Sequence, residues 1–340
     1  MRAVQMTGER MLSVVEIDAL EPDGESVIIK VSLAGICGTD LHVWEEEGYT
    51  GIIFGHEYVG TVVDPGSRED IQVGDRVTVL PYNPCMECAS CNLGNIHLCM
   101  QTITQSPGTC LSNHGAFAEY IAARPDMVRK LPDTVSDIEA TLIEPASVAL
   151  RAVREARVTV GDKVLITGGG IIGSLCAMFA KKAGASYIAM TEANEMRAQG
   201  AFKSGDIDQV FDARDPGLIG ALLEVSDPGF DVCLECAGVG EAIDTAIMAV
   251  NPGVGVIVQV ALNMSPVPIS LLWLVLREAK INPILGYYVR DFETCIDLIA
   301  RKKIDIEHFM SRVVSFEEAQ DAFVALTSGT SPDVKIAVRP

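Results

Sequence analysis

Apolar residues fall along this chain in two rhythms. Up to about residue 145, short β-branched runs at Ser26–Leu33, Tyr58–Val63, Asp75–Leu80 and Phe117–Ile121 are broken by Gly and Pro turns, a pattern that predicts strands. From about Val158 the order becomes strand, glycine turn, helix, strand. Lys163–Thr167 is a continuous apolar strand, and Ile172–Ala183 has helical periodicity with Gly184 just past its end, where a C′ glycine belongs. Tyr187–Thr191 is the next strand, and runs at Gln209–Asp212, Phe230–Glu235, Val254–Val260 and Lys280–Leu285 continue the alternation. That rhythm predicts an α/β fold with a doubly wound parallel sheet, helices on both faces. From Phe292 a helical stretch and a last strand at Lys335–Val338 return the chain to its first domain. The expected organisation is therefore residues 1–150 with 290–340 as a β-rich domain, and residues 151–289 as the doubly wound one.

The length of 340 residues fits two domains rather than one. A formal net charge of −20 repels phosphate backbones and argues against nucleic acid as a partner. The longest apolar stretch, Val267 to Leu276, falls well short of the ~20 residues that span a bilayer, so no membrane is expected. The N-terminus shows no apolar signal core, which makes the cytoplasm the expected compartment. In that setting the 10 cysteines do not read as a disulfide framework.

Cys85, Cys88, Cys91 and Cys99 stand as C-x2-C-x2-C-x7-C in a loop rich in Pro, Asn and Gly. Three closely spaced thiolates with a fourth one loop away suit a closed tetrahedral zinc site whose role is to brace the loop. An iron–sulfur cluster would accept similar ligands, but the ferredoxin runs continue with different spacing. Four unrelated buried thiols are the bland reading. Cys110, Cys176, Cys233, Cys236 and Cys295 lack such spacing and are expected in the core.

A second constellation is fainter. Gly35-Ile36-Cys37-Gly38-Thr39-Asp40-Leu41-His42 is followed by Gly55-His56-Glu57-Tyr58-Val59-Gly60, and Glu144 precedes Pro145 where the β-rich part ends. One thiolate, one imidazole and carboxylates around a single cation leave room for water or substrate, which is the catalytic type of zinc site. A lone Cys or His would more often be core; two motifs together shift the balance.

Gly168-Gly169-Gly170-Ile171-Ile172-Gly173 fits G-x-G-x-x-G, and here it follows a strand and opens a helix, the context a dinucleotide site requires. Gly168 permits the tight turn, Gly170 lets the backbone approach a pyrophosphate, and Gly173 allows close helix packing. Glu192 ends the next strand, 19 residues beyond Gly173, where a carboxylate accepts the ribose hydroxyls of NAD and repels the 2′-phosphate of NADP. Arg197 is a nearby cation that could pair with a phosphate. Ile171, Ile172 and Val260 are further expected cofactor contacts.

Taken together, GICGTDLH, GHEYVG, the four-cysteine loop, IEPASVA, GGGIIG and the C-terminal EEAQDAF resemble the zinc-dependent medium-chain dehydrogenases, and within them the sorbitol (polyol) dehydrogenase-like branch. The resemblance implies a GroES-like catalytic domain, a Rossmann cofactor domain, two zinc ions per chain and NAD. It implies that Cys37 and His56 are ligands of the catalytic zinc, that Glu57 is a ligand or an adjacent carboxylate, and that Glu144 binds the metal or its water. Asp40 is similar to the residue that orients the ligand histidine, Thr39 to the hydroxyl that touches the reacting oxygen, and His42 to the outer end of a proton relay; a turn residue and an exposed histidine are the plain readings of the last two. Arg197 resembles an arginine that lies over the adenine.

The implied reaction is hydride transfer between NAD and a secondary alcohol, polyol or diol, with a small alcohol or carbonyl as the only partner besides further copies of the chain. The polyol branch often carries Arg-Tyr where this chain has Gly286-Tyr287-Tyr288, so the resemblance does not extend to sorbitol itself. Leu41, Trp44, Phe117 and Tyr288 stand where they could line a pocket or the core. An amino-alcohol (threonine-type) dehydrogenase or another zinc-dependent reductase is the alternative enzyme, and a non-enzymatic NAD-binding protein the remote one. Val254–Val260 and Ser270–Leu276 could join cofactor domains in a homodimer or homotetramer, or be buried within one chain.

Overall fold

A computed structural model describes residues 1–263 and 265–340. The chain divides into two compact units: Met1–Glu144 with Tyr288–Ser328 and Lys335–Pro340, and Pro145–Tyr287 with Gly329–Val334.

The first unit opens with an antiparallel hairpin, β1 (Arg2–Gly8) and β2 (Met11–Glu16). There follow β3 (Val27–Gly35), the short helix α1 (Gly38–Trp44), β4 (Glu57–Asp64) and β5 (Arg76–Val79). A loop carrying α2 (Ala89–Asn92) and α3 (Met100–Gln105) leads to β6 (Tyr120–Ala123), β7 (Val128–Lys130) and α4 (Asp137–Thr141). Helix α5 (Ile143–Ala156) carries the chain out of this unit, with Pro145 in its first turn, where the missing N–H costs no helical bond.

The second unit alternates strands and helices: β8 (Lys163–Thr167), α6 (Ile171–Ala183), β9 (Tyr187–Glu192), α7 (Glu195–Lys203), β10 (Gln209–Asp212), α8 (Leu218–Ser226), β11 (Val232–Glu235), α9 (Gly240–Ala249), β12 (Val256–Gln259), α10 (Leu271–Arg277) and β13 (Lys280–Pro283). The chain then returns to the first unit with α11 (Val289–Ala300), β14 (Arg312–Ser315), α12 (Ala319–Thr327) and β15 (Ile336–Arg339).

In the second unit all strand pairs are parallel and run in the order β10-β9-β8-β11-β12-β13. The chain winds outward from β8 to β10, then crosses back and winds the other way. The reversal lies between β8 and β11, and their carboxyl ends are where such folds receive ligands. Leu165, Phe230, Ile243 and Ile257 anchor the core between sheet and helices.

In the first unit the sheet order is β14-β15-β3-β4-β5-β7, with β6 added to β3. Its core is aromatic: Phe323 of α12 meets Trp44, Phe54 and Phe117 at ring-centroid distances of 5.6, 5.7 and 6.2 Å. Trp44 and Phe117 are therefore core residues and not pocket lining.

Several expected boundaries shift for identifiable reasons. Phe117 lies in a bend, its backbone bonded to Val4 and Phe54, so regular pairing begins only at Tyr120. Val254 lies in an exposed turn ahead of β12, while Ile257 and Val258 are fully buried between β11 and β13. That strand is interior, which removes it as a contact between chains. Cys176, Cys233 and Cys295 are buried as expected; Cys110 and Cys236 are only half-buried, a correction to their assignment to the core. Among the described residues no helix is long and apolar enough to cross a membrane.

Candidate active site

Cys37 ends β3's excursion and caps α1. Its thiol receives the Thr39 N–H at 3.5 Å, and its own N–H donates to Asp40 Oδ2 at 2.9 Å. The other oxygen of Asp40 lies 3.4 Å from His56 Nδ1, close enough for charge pairing but long for a hydrogen bond, and both atoms are buried without a formed one. One carboxylate thus braces the backbone of Cys37 and faces the ring of His56, leaving Nε2 as the nitrogen free to ligate. Burial opposes protonation of His56, but the charges of Asp40 and Cys37 outweigh it and raise its pKa well above the ordinary histidine range.

The ligand atoms of Cys37, His56 and Glu57 all lie within 4.8 Å of one another. Thiolate, imidazole and carboxylate converging with one position open is a donor set that suits zinc in a catalytic site. Glu57 sits at the start of β4, opposite Gly35 of β3, and both it and Lys335 are nearly inaccessible to solvent. Lys335 Nζ pairs with Glu57 Oε2 and donates to the Ile36 carbonyl at 2.8 Å. A Cβ on Gly35 would lie 2.3 Å from Glu57 Oε2 and 3.0 Å from Lys335 Cε, so glycine is required there by the pair itself. Burial works against the Lys335 charge, but Glu57, Cys37 and Glu144 together raise its pKa and keep it an ammonium. Glu144, on α5, stands outside the converging three and within electrostatic reach of Lys335.

Thr39 has its hydroxyl 3.7 Å from Cys37 Sγ. His42 is exposed in the last turn of α1, and Leu41 is half-buried. Tyr288 stands edge-on to the buried ring of His97 at 4.9 Å, with the Arg290 guanidinium 4.8 Å over its face.

The four cysteines of the loop converge as well, all Sγ atoms within 4.8 Å of one another. The Cys88–Cys91 and Cys85–Cys99 sulfur separations are both 3.6 Å. A tetrahedron of sulfurs about 2.3 Å from zinc has edges of about 3.8 Å, and a disulfide would need about 2 Å, so the cluster fits a metal and not a bridge. Backbone N–H groups of Cys85 and Cys88 point at Cys99 and Cys85 sulfurs, each at 3.4 Å. Burial opposes ionisation of Cys99, yet the N–H groups of Cys85 and Thr102 outweigh it and lower that thiol to about 6.

In the second unit the glycine turn joins β8 to α6. Gly168 adopts φ +96°, and a Cβ on Gly173 would fall 1.9 Å from the Gly168 carbonyl oxygen, so neither position tolerates a side chain. Gly170 is the N-cap of α6, with open space where a Cβ would point. Ile171 and Ile172 form the first turn, whose N–H groups are available to an anion. Glu192, at the carboxyl end of β9, accepts the N–H of Gly169 at 2.6 Å and of Asn194 at 2.7 Å. Arg197 lies in the first turn of α7, its N–H bonded to the Asn194 cap, and Val260 follows β12 immediately.

Comparison with known proteins decides the family. Residues 23–133 match the alcohol dehydrogenase GroES-like domain and residues 172–301 the zinc-binding dehydrogenase domain. The chain is 32% identical over 334 residues to the 2-dehydro-3-deoxy-L-galactonate 5-dehydrogenase of Pseudoalteromonas atlantica, covering 95% of this chain and 94% of that one. It belongs to the zinc-dependent medium-chain dehydrogenases. The sorbitol dehydrogenase of Bacillus subtilis is 30% identical over 351 residues, covering 100% of this chain and 97% of its own. The crystal structure of 2R,3R-butanediol dehydrogenase from Bacillus subtilis superposes with a TM-score of 0.85 at 27% identity, covering 100% and 99% of the two chains. This dehydrogenase is thus a zinc-dependent, NAD-linked oxidoreductase of the alcohol and polyol type, with the GroES-like and Rossmann architecture expected of it.

Lys335 escaped the sequence reading. A single lysine at the head of an apolar strand carries no local signal. Only the pairing of β15 beside β3 brings it to Glu57.

Proposed function

We propose that the chain oxidises a secondary hydroxyl of a polyol, diol or sugar-derived alcohol, and reduces the corresponding ketone, using Cys37, His56 and Glu57 to hold the catalytic zinc. The observation that carries the reading is the convergence of those three ligand atoms around Asp40 and Lys335. When bound, zinc supplies Lewis acidity to the substrate oxygen and NAD accepts the hydride.

The chain's own residues do the rest. Asp40 fixes the histidine tautomer and the backbone of Cys37. Thr39, beside Cys37, takes the hydroxyl proton and passes it toward exposed His42. Lys335 holds Glu57 in place and neutralises it, and Glu144 adds a further carboxylate whose charge Lys335 feels. Cys85, Cys88, Cys91 and Cys99 hold a second, structural zinc. Gly168, Gly170 and Gly173 receive the diphosphate at the N-terminus of α6, together with Ile171 and Ile172; Glu192 selects NAD through the adenosine ribose, with Arg197 and Val260 alongside.

We also read the molecule as a homodimer or homotetramer of the cytoplasm. The support is α10, which leaves Leu272 65% and Val275 72% exposed beside β13, a strand with one open edge. Burial of this helix within one chain, the other reading of the segment, does not fit those exposures. Four of the cysteines converge as metal ligands and not as disulfide pairs, which fits the compartment.

The test is NAD reduction screened over polyols, diols, sugar acids and amino alcohols with the zinc-loaded protein. Activity confined to amino alcohols would replace the polyol reading, and activity without metal would remove the site assignment.

A further inference from the structure

The carboxylate of Glu235, at the carboxyl end of β11, is wholly buried, and the chemistry outlined above does not use it. Its Oε1 accepts the N–H groups of Ala237 and Gly238, both at 2.8 Å, and the Thr167 hydroxyl at 3.3 Å. Its Oε2 accepts Gln259 Nε2 at 2.6 Å. All four donors are neutral. A buried carboxylate has roughly four acceptor positions, and leaving them empty costs more than the site returns, so this constellation is complete.

The bonds continue beyond the carboxylate. Gln259 Nε2 also reaches the Ala261 carbonyl at 2.9 Å and Asn263 Oδ1 at 3.3 Å, and Asn263 Nδ2 donates to the Gly238 carbonyl at 2.6 Å. The result is a closed ring that joins the ends of β8, β11 and β12 to the two loops that follow β11 and β12. One of those loops abuts the glycine turn, since a Cβ on Gly168 would lie 3.0 Å from the backbone of Ala237. The other begins at Val260.

A carboxylate on the strand next to the glycine turn has the wrong sign to attract a diphosphate. Its contribution must therefore be geometric. We propose that Glu235 is a positioning residue for the cofactor, fixing the Cys236–Gly238 and Val260–Asn263 loops relative to each other so that the nucleotide meets a preformed surface. This rests on the reading of the glycine turn as the dinucleotide site.

Glu235→Gln tests it with nearly unchanged volume. An amide at this position keeps one oxygen for the Ala237, Gly238 and Thr167 donors but turns an NH2 toward the NH2 of Gln259. Relieving that conflict requires Gln259 to flip, which takes its donors from Ala261 and Asn263 and opens the ring. NADH binding is followed by fluorescence in wild type, Glu235→Gln and Asn263→Ala, with thermal unfolding measured on the same samples. Loss of one charge-assisted bond and its dependents predicts a rise in the NADH dissociation constant of about 10- to 100-fold for Glu235→Gln. For Asn263→Ala, which removes only the neutral closing contact, the same principle predicts about 3- to 10-fold. The KM for NAD should rise more than kcat falls.

A folded Glu235→Gln variant with wild-type NADH affinity overturns the proposal, even if it unfolds at a lower temperature. Should that variant not fold, an unchanged affinity in Asn263→Ala overturns it equally. Wild-type protein that binds no NADH overturns the nucleotide-site reading instead, and the proposal with it.

Discussion

Lys335 and Glu57 form an ion pair in which both side chains are about 1% exposed, formed by residues 278 positions apart in sequence. The ammonium is also held by the Ile36 carbonyl, one residue before the candidate ligand Cys37. A buried charge of this kind is tolerated only with its partner present.

Lys335→Met should therefore cost about 3–5 kcal/mol of stability, because it strands the Glu57 carboxylate in the interior. The double variant Lys335→Met/Glu57→Gln should recover a large part of that loss, and urea unfolding of the wild type, both single variants and the double variant gives the coupling directly. Additive losses would show that the two side chains do not compensate each other.

The two metal sites should separate by mutation. Cys91→Ser should lower bound zinc from two to one per chain and lower the unfolding temperature by several degrees, since the metal closes a loop with little core of its own. Cys37→Ser should also lose one zinc, with dehydrogenase activity abolished and NADH binding retained. Metal analysis with calorimetry distinguishes the two patterns, and two zinc ions in either variant would contradict its assignment.

Gly173→Ala should damage the nucleotide site from behind. With its Cβ 1.9 Å from the Gly168 carbonyl, α6 must shift away from the turn. Overpacking of this kind costs about 1–3 kcal/mol, and NADH affinity should fall by at least tenfold. Equal affinity in the variant would mean that the turn is not the binding surface.

Glu192→Ala should change cofactor preference. It removes the carboxylate that faces the turn and frees the N–H groups of Gly169 and Asn194, so NADP should be used more efficiently relative to NAD. The ratio of kcat/KM for the two nucleotides is the measurement, and an unchanged ratio would remove Glu192 from the selection.

Val275→Glu, on the exposed face of α10, should lower the number of copies in the assembly without loss of fold, as judged by light scattering and circular dichroism. A wild-type monomer at micromolar concentration would exclude the interface.

The chemistry-bearing segments were readable in the sequence because each is a local device. Four cysteines within one loop need only that loop to converge, and G-x-G-x-x-G needs only a strand before it and a helix after it. Cys37 and Asp40 share a capping arrangement three residues wide. Strand boundaries were less readable: Phe117 looks like part of a strand, but it sits in a bend whose hydrogen bonds go singly to Val4 of β1 and to the loop residue Phe54. The apolar segments near residues 254–260 and 270–276 looked alike in sequence, yet one is a central strand and the other an exposed helix.

By itself, then, the sequence determined the α/β class with its GroES-like and Rossmann parts and the zinc and NAD chemistry of the family, because short motifs such as the four-cysteine loop and the glycine turn carry that signal locally. Tertiary structure alone decided that Lys335 neutralises Glu57, that Gly35 must be empty to admit them both, and that Glu235 ties three strand ends into one ring. The physical reason is common to all three. Each is a contact between chain segments that only the sheet order brings together, and a buried polar group leaves no local mark until the fold brings it its partner.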